Sequence, residues 1–376
     1  MITGLNNRPL LTFALVSCNQ EPFVREAVEA ALAQTYSPLE IILSDDCSDD
    51  RSFEIMREMA QAYRGPHRLK LNRNSTRKIM GGHMNRVLEL SQGELIVIAA
   101  ADDVSLPNRT ELVFQAWEKS GRQAASIYTD YIQIDEAGKQ IDRLFSFEDE
   151  QPAGGGEQIV EQKVDPLFYL RTLKPTVHGC SHAICPRLYR RFGNLPEEVV
   201  YEDKVLAFRS VLVGKVFYVN EPLVRYRLHG ANLHKYLSGD RAPLTLASLE
   251  EQESRFLTGN KNRAIMYETF LLDLHTAKQL GVLEESDYTE MVKQAKCLYQ
   301  RISLTSRFLE GGLLTKCRML PSLLRTGLDR KERKLLLSRL LPTWLYLRLR
   351  LTRNRLSQGL QRKHPASKAK KVLVSS

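Results

Sequence analysis

Between residues 10 and 130, short apolar runs alternate with segments whose apolar positions recur three and four apart. The runs at 10–17, 39–44, 67–71, 94–100 and 124–130 have the length of strands. The intervening segments place Val24, Ala27, Val28, Ala31 and Leu32, then Phe53, Met56, Met59 and Ala60, then Met84, Val87 and Leu88 on single helical faces. Strand and helix periods in alternation predict a mostly parallel sheet covered by helices, an α/β fold of four crossovers.

The rhythm changes after Tyr131. The segment 132–141 (IQIDEAGKQI) predicts a hairpin, and Gly154, Gly155 and Gly156 form a loop with no regular structure, suited to covering a site. Then come a strand at 181–185, a helix at 201–212, and a strand pair at 215–219 and 222–228. From Ala247 the pattern is almost wholly helical. The expected organisation is a catalytic domain over 1–240, an accessory helical region over 241–330 and a basic amphipathic tail over 331–376, whose last residues are compositionally disordered.

Charge sharpens this division. The formal net charge is +10, but residues 331–376 carry thirteen Lys and Arg against Glu332 alone, a balance of +12 that leaves the rest at −2. A nucleic-acid-binding catalytic body is therefore disfavoured. Within the tail, Leu336, Leu340, Trp344, Leu347 and Leu351 recur at helical spacing among arginines, with Pro342 interrupting. That composition suits a helix lying on an anionic membrane surface, against the rival of a helix packed on protein. The six cysteines lack paired metal or redox spacing and read as free thiols of a reducing cytoplasm. The first residues read as a strand rather than a cleavable signal, and no apolar stretch reaches the roughly 20 residues of a membrane span. The expected location is cytoplasmic and peripheral at the inner membrane face.

In open α/β sheets ligands bind beyond the carboxyl edge of the strands. Two such edges are acidic: Asp45, Asp46, Asp49 and Asp50 follow the second run, and Asp102 and Asp103 follow the fourth. Successive carboxylates there suit a hard cation, and magnesium or manganese held this way bridges to substrate phosphates. Asp49 and Asp50 read instead as starters of the next helix. Asp46 and the Asp102–Asp103 pair are costly at buried strand ends without a counterion, which favours a functional reading.

The run ALVSCNQEPFVREAVEAALAQTYSPLEIILSDDCSDD resembles the opening of family 2 glycosyltransferases. The resemblance continues through GGHMNRVLELSQGELIVIAAADDVSLPNR, then HGCSHAICPRLYRRFGNLPEEVVYEDKVLAFR and PLVRYRLHGANLH, covering roughly residues 9–234. It implies a GT-A type fold with a C-terminal helical region, and an inverting transferase that takes a sugar from a nucleotide diphosphate, read as UDP, to a hydroxyl of a glycan or lipid-linked acceptor in cell-surface polysaccharide synthesis. By the same resemblance Asp46 contacts uracil beside the backbone of Val16, Ser17 and Asn19. Asp102 and Asp103 match the DXD element that holds Mg2+ or Mn2+ on the diphosphate, with His229 a further metal-ligand candidate. Asp203 matches the catalytic base, with Glu202 its neighbour. Arg227 matches a segment closing near the phosphates; Arg225, Tyr226 and Arg227 alternate on a strand, so one face at most reaches the site. Asn85 is a donor-side candidate that also suits ordering the loop before its helix, and His178 is an acceptor-side candidate. One departure stands out: Ala100 occupies a position where many relatives carry Asp, which weakens the expected metal site.

These residue types fit the chemistry. A cation neutralises the departing diphosphate, and one carboxylate removes the acceptor proton in line, which inverts the anomeric centre; retention needs a second carboxylate as nucleophile, and none is singled out. Two rivals remain. A sugar nucleotidyltransferase needs a Gly-rich phosphate loop after the first strand, where this chain has SCNQEPF. A degenerate, non-enzymatic nucleotide-sugar or membrane-binding partner protein is suggested by Ala100 and the tail.

Overall fold

The computed structural model describes residues 8–141, 157–230, 232, 246–325, 333, 336, 337, 339 and 340. The Gly154–Gly156 loop and nearly all of the tail, Trp344 included, lie outside them. The first half follows the sequence pattern closely: β1 (Leu11–Ser17), α1 (Val24–Leu32), β2 (Leu39–Asp45), α2 (Ser52–Ala62), β3 (Arg68–Arg73), α3 (Ile79–Leu90), β4 (Ile96–Ala100), a two-residue β5 (Val104–Ser105) and α4 (Arg109–Lys119). Every residue of β1 and β2 is buried, as strands covered on both faces must be. Leu11, Phe13, Leu15, Ile41 and Leu43 alternate into one core with Val24, Ala27, Val28 and Ala31 of α1, Met56 of α2 and Val113, Ala116 and Trp117 of α4. The opposite face of β2 meets α3, where the Ser44 hydroxyl lies 2.7 Å from His83 Nε2.

After α4 come β6 (Ala124–Ile134), β7 (Ile159–Gln162), α5 (Pro166–Thr172), a 3-10 turn Gly179–Ser181, β8 (His182–Ile184), α6 (Arg187–Phe192), α7 (Glu202–Val213) and β9 (Lys215–Arg227). The sheet runs β3-β2-β1-β4-β8-β6-β9-β5, with β7 beside β9. Strands β1 to β4 are mutually parallel where they pair, but β8 enters antiparallel between β4 and β6. The fifth apolar run therefore lies one strand further from β4 than consecutive crossovers predict. The strand pair expected at 215–228 is a single strand, because β6 pairs along its length and register shifts at Thr129, Asp130 and Tyr131 absorb the interruption at Asn220 to Pro222. The hairpin at 132–141 is present, closed by Asp135 N–H to Lys139 O at 2.9 Å with Gly138 at φ +81°.

The helical remainder comprises α8 (Leu246–Gln279), α9 (Glu285–Glu310) and α10 (Leu313–Leu324). The chain separates into two compact units: residues 1–235 with 262–299, and residues 236–261 with 300–376. In the first, α7 is tied to α8 by Arg209 Nε donating to Asp273 Oδ2 at 2.9 Å, both side chains being buried, and Phe208 packs on Phe270 at 4.3 Å between ring centroids. In the second, Phe308, Leu309 and Leu323 form a core together with Leu336, against which Leu340 packs. Two positions of the tail's apolar stripe thus face protein, the rival arrangement for that segment. Among the described residues no helix is long and apolar enough to cross a membrane.

Candidate functional site

The carboxyl edge of β1, β2 and β4 is built from loops that hold one another. Asp45, at the end of β2, accepts from the Ser48 N–H and hydroxyl. Asn19, at φ +55°, donates its N–H to the Ser48 hydroxyl at 2.8 Å and accepts from the Asp49 N–H through Oδ1 at 2.8 Å. Asp50 accepts from the N–H groups of Ser52 and Glu21, both at 2.9 Å. Partial burial raises its carboxyl pKa, but these bonds outweigh it and hold the group below its usual range. Asp50 therefore organises the start of α2, as its sequence context suggested, whereas the Asp49 carboxylate meets Arg77 at 3.2 Å. Asp46 is buried, and its Oδ1 accepts from Asn74 Nδ2 at 2.8 Å and Lys78 N–H at 2.9 Å. The carbonyls of Val16 and Ser17 are taken up by Ala101 N–H at 3.0 Å and Asp46 N–H at 2.8 Å, so they brace the rim. The buried Ser17 hydroxyl has no hydrogen-bond partner among the described residues.

The second acidic cluster divides into two unlike carboxylates. Asp103 is buried and accepts the Arg227 N–H at 2.8 Å; burial, then the charge of Asp102, push its pKa well up. Its surroundings include the Cys180 thiol and the buried Arg109, whose guanidinium donates to Ser105 Oγ at 2.9 Å and Ile98 O at 2.8 Å. Asp103 thus fastens β9 to the end of β4. Asp102 is 17% exposed, and its Oδ2 lies 3.0 Å from His229 Nε2. His229 is held by the Phe23 ring at 4.7 Å and by Asn232, which accepts its N–H.

The Arg227 side chain is 2% exposed and donates to Asp102 O at 2.9 Å, Asp135 O at 3.3 Å, Glu136 O at 3.0 Å and the Glu26 carboxylate, while lying over Phe23. A guanidinium shared among four acceptors in the protein is a tie between α1, the 135–138 turn and the Asp102 loop. The Asn85 amide donates to Leu195 O at 2.8 Å and accepts from Leu195 N–H at 2.9 Å, ordering the chain ahead of α7.

The third acidic pair begins α7. Asp203 Oδ1 accepts from Lys204 N–H at 2.7 Å, and its Oδ2 is 3.6 Å from Lys204 Nζ, which is anchored on Val177 O at 2.8 Å. Glu202 is buried, and burial followed by the Asp203 charge pushes its carboxyl well up. A Cβ added at Gly179 would sit 2.8 Å from Glu202 Oε1, so the 3-10 turn passes close against that carboxyl. The next residue, Cys180, places its thiol against Asp103. One three-residue turn therefore spans both acidic pairs. The loop before α7 also rests on α3, where Gly81 N–H donates to Val199 O at 2.8 Å and a Cβ would meet Pro196 O at 2.3 Å. Gly81→Ala is expected to destabilise the fold by about 1–3 kcal/mol; a urea melt within about 0.5 kcal/mol of wild type would contradict this packing.

His178 precedes that turn and contacts Tyr131 and Tyr226, with centroid distances of 5.2 Å and 6.1 Å. Glu26, Phe23, Arg109, Tyr131, Gly179 and Cys180 had no separate signal in the sequence, because each acquires its place only through strand order. Among the described residues no group of three or more His, Cys, Asp or Glu forms a metal cluster.

The chain has clear relatives. An uncharacterized glycosyltransferase of Rickettsia typhi is 28% identical over 225 residues, covering 59% of this chain and 65% of the relative. The chain thus spans just under two thirds of the length of the first curated relatives it matches. TuaG of Bacillus subtilis, whose name assigns it to teichuronic acid biosynthesis, is 23% identical over 224 residues, covering 59% of this chain and 81% of TuaG. The crystal structure of S. aureus TarS 1–349 in complex with UDP-GlcNAc is similar at a TM-score of 0.53 and 16% identity, over 90% of this chain and 87% of that one, a likeness of fold. The model of the family described as Glycosyl transferase family 2 matches residues 12–192. With that match, the glycosyltransferase names of its relatives and its GT-A type fold, residues 12–192 are identified as a glycosyl transferase family 2 region.

Proposed function

We propose that this chain is an inverting, metal-dependent glycosyltransferase that moves a sugar from a UDP-sugar to a hydroxyl of a glycan or lipid-linked acceptor in cell-surface polysaccharide synthesis. The observation that carries the reading is the 3-10 turn Gly179–Ser181, which sets Asp102 and Asp103 beside Glu202 and Asp203 through Cys180 and Gly179. A diphosphate-side acid and a proton-accepting acid at one sheet edge are what such a transfer requires. The UDP-GlcNAc in the similar TarS structure supports a nucleotide-sugar donor, and the name of TuaG supports the polysaccharide process.

The residues fit a hard cation. Asp102 Oδ2 and His229 Nε2, which lie 3.0 Å apart, are the side chains that would hold magnesium or manganese on the donor diphosphate. A bound ion would supply neutralisation of the departing diphosphate. Asp46 and the Ser17 hydroxyl line the base side. Asp203 takes the acceptor proton as the new bond forms, on the face opposite the leaving group. Lys204 orients it. The catalytic region corresponds to 1–240 and the accessory helices to 241–330, and the cationic segment 331–376 keeps the enzyme at an anionic inner membrane surface.

A thermal-shift panel of UDP, dTDP and their sugar conjugates tests this. A donor at about 100 times its Kd should stabilise by about 2.7 kcal/mol with manganese present, and EDTA should remove the effect. Stabilisation by none of the panel with manganese present would overturn the assignment.

A further inference from the structure

Three half-buried rings belong to the candidate site without a role in the chemistry above. Tyr131 of β6 and Tyr226 of β9 lie 5.3 Å apart by ring centroid, and His178 meets the first edge-on at 5.2 Å and the second at 6.1 Å. The Tyr131 hydroxyl is 3.4 Å from His178 Nε2, so the patch carries a polar edge as well as apolar faces. Its position follows from its neighbours. Tyr226 immediately precedes Arg227, whose N–H is fastened to Asp103, and His178 immediately precedes Gly179, which abuts Glu202 and Asp203. The charges of Asp102 and Asp103 reach Tyr226, reinforcing the burial that raises its phenol. The patch thus bridges the acid that faces the diphosphate and the acid that accepts the proton.

In an in-line transfer the moving sugar occupies that interval, bonded to the diphosphate on one side and approached by the acceptor from the base side. We propose that Tyr131, Tyr226 and His178 form the platform on which the transferred sugar ring rests, a site for the C–H face of a pyranose, with the Tyr131–His178 edge meeting its hydroxyls. Apolar rings with a few placed polar atoms are the usual lining of a small-molecule subsite, and partly exposed aromatic faces supply contact at little entropic cost. The inference rests on the nucleotide-sugar reading and adds to it the residues that sense the sugar.

Calorimetry on the full chain with manganese compares UDP with UDP-glucose, UDP-galactose and UDP-GlcNAc. In Tyr226→Leu and Tyr131→Leu, the ratio of Kd for a sugar nucleotide to Kd for UDP should rise about three- to tenfold over wild type. UDP affinity itself should stay within about twofold, which also reports a folded protein. Tyr226→Phe keeps the ring face and should keep the ratio. An unchanged ratio for all three sugars in both Leu variants overturns the platform while leaving the nucleotide site intact, as does a loss of UDP affinity equal to that of the sugar nucleotides. Failure of wild type to bind any of the four overturns the underlying reading instead, and the platform with it.

Discussion

Asp203→Asn should lower kcat by about a thousandfold while leaving UDP binding in the presence of manganese within about twofold. The substitution is isosteric, and the retained oxygen still accepts the Lys204 N–H, a bond of 2.7 Å in the native protein, so the helix start is preserved. What disappears is the proton acceptor. Asp203 lies 3.6 Å from a lysine that is itself anchored on Val177 O, which fixes the carboxylate's direction rather than its fold. Glu202 is a poor substitute, because it is buried and its carboxyl is pushed well up by burial and then the Asp203 charge. Glu202→Gln should accordingly cost less than about tenfold in kcat. Steady-state rates of UDP release with a competent acceptor check both; an Asn variant retaining more than about a tenth of the wild-type kcat would remove Asp203 from the base role.

Asp102→Ala should remove the manganese dependence of donor binding and lower kcat/KM by about a thousandfold, equivalent to ~4 kcal/mol of transition-state stabilisation. The side chain is 17% exposed and its one described partner is His229 Nε2, so its removal leaves no buried charge and little packing loss. A melting midpoint within about 2 °C of wild type is therefore expected. Asp103 offers the contrast. Its carboxyl holds the Arg227 N–H in a fully buried setting, so Asp103→Ala should lower stability by about 1–3 kcal/mol together with activity. If the Asp102 variant still binds UDP more tightly with manganese than without, another residue must hold the ion.

These variants matter because the two members of the DD pair look equivalent in sequence and are not. Position along a chain specifies which strand end carries the acids, whereas their division into a partly exposed and a buried carboxyl depends on β9 returning beside the end of β4. The same return places Arg227. The resemblance implied only a segment closing near the phosphates, whereas the fold surrounds its guanidinium with four acceptors drawn from Glu26, Asp102, Asp135 and Glu136. None of the four lies near it in sequence, apart from the fold.

The alternation of apolar runs with helical faces was enough to determine the helix-covered core of β1 to β4, because burial on both faces demands continuous apolar strands and amphipathic helices, and both periods are local. Acids at the ends of β2 and β4 were equally legible, since a strand's end is defined by where its apolar run stops. The tertiary structure alone decided the insertion of β8 between β4 and β6, and the fusion of two expected strands into β9. It alone brought the turn Gly179–Ser181 against Asp103 and Glu202 at once. Those outcomes rest on pairings between residues about 20 to about 90 positions apart, whose partners compete on shape and hydrogen bonding rather than on any periodicity written in the chain.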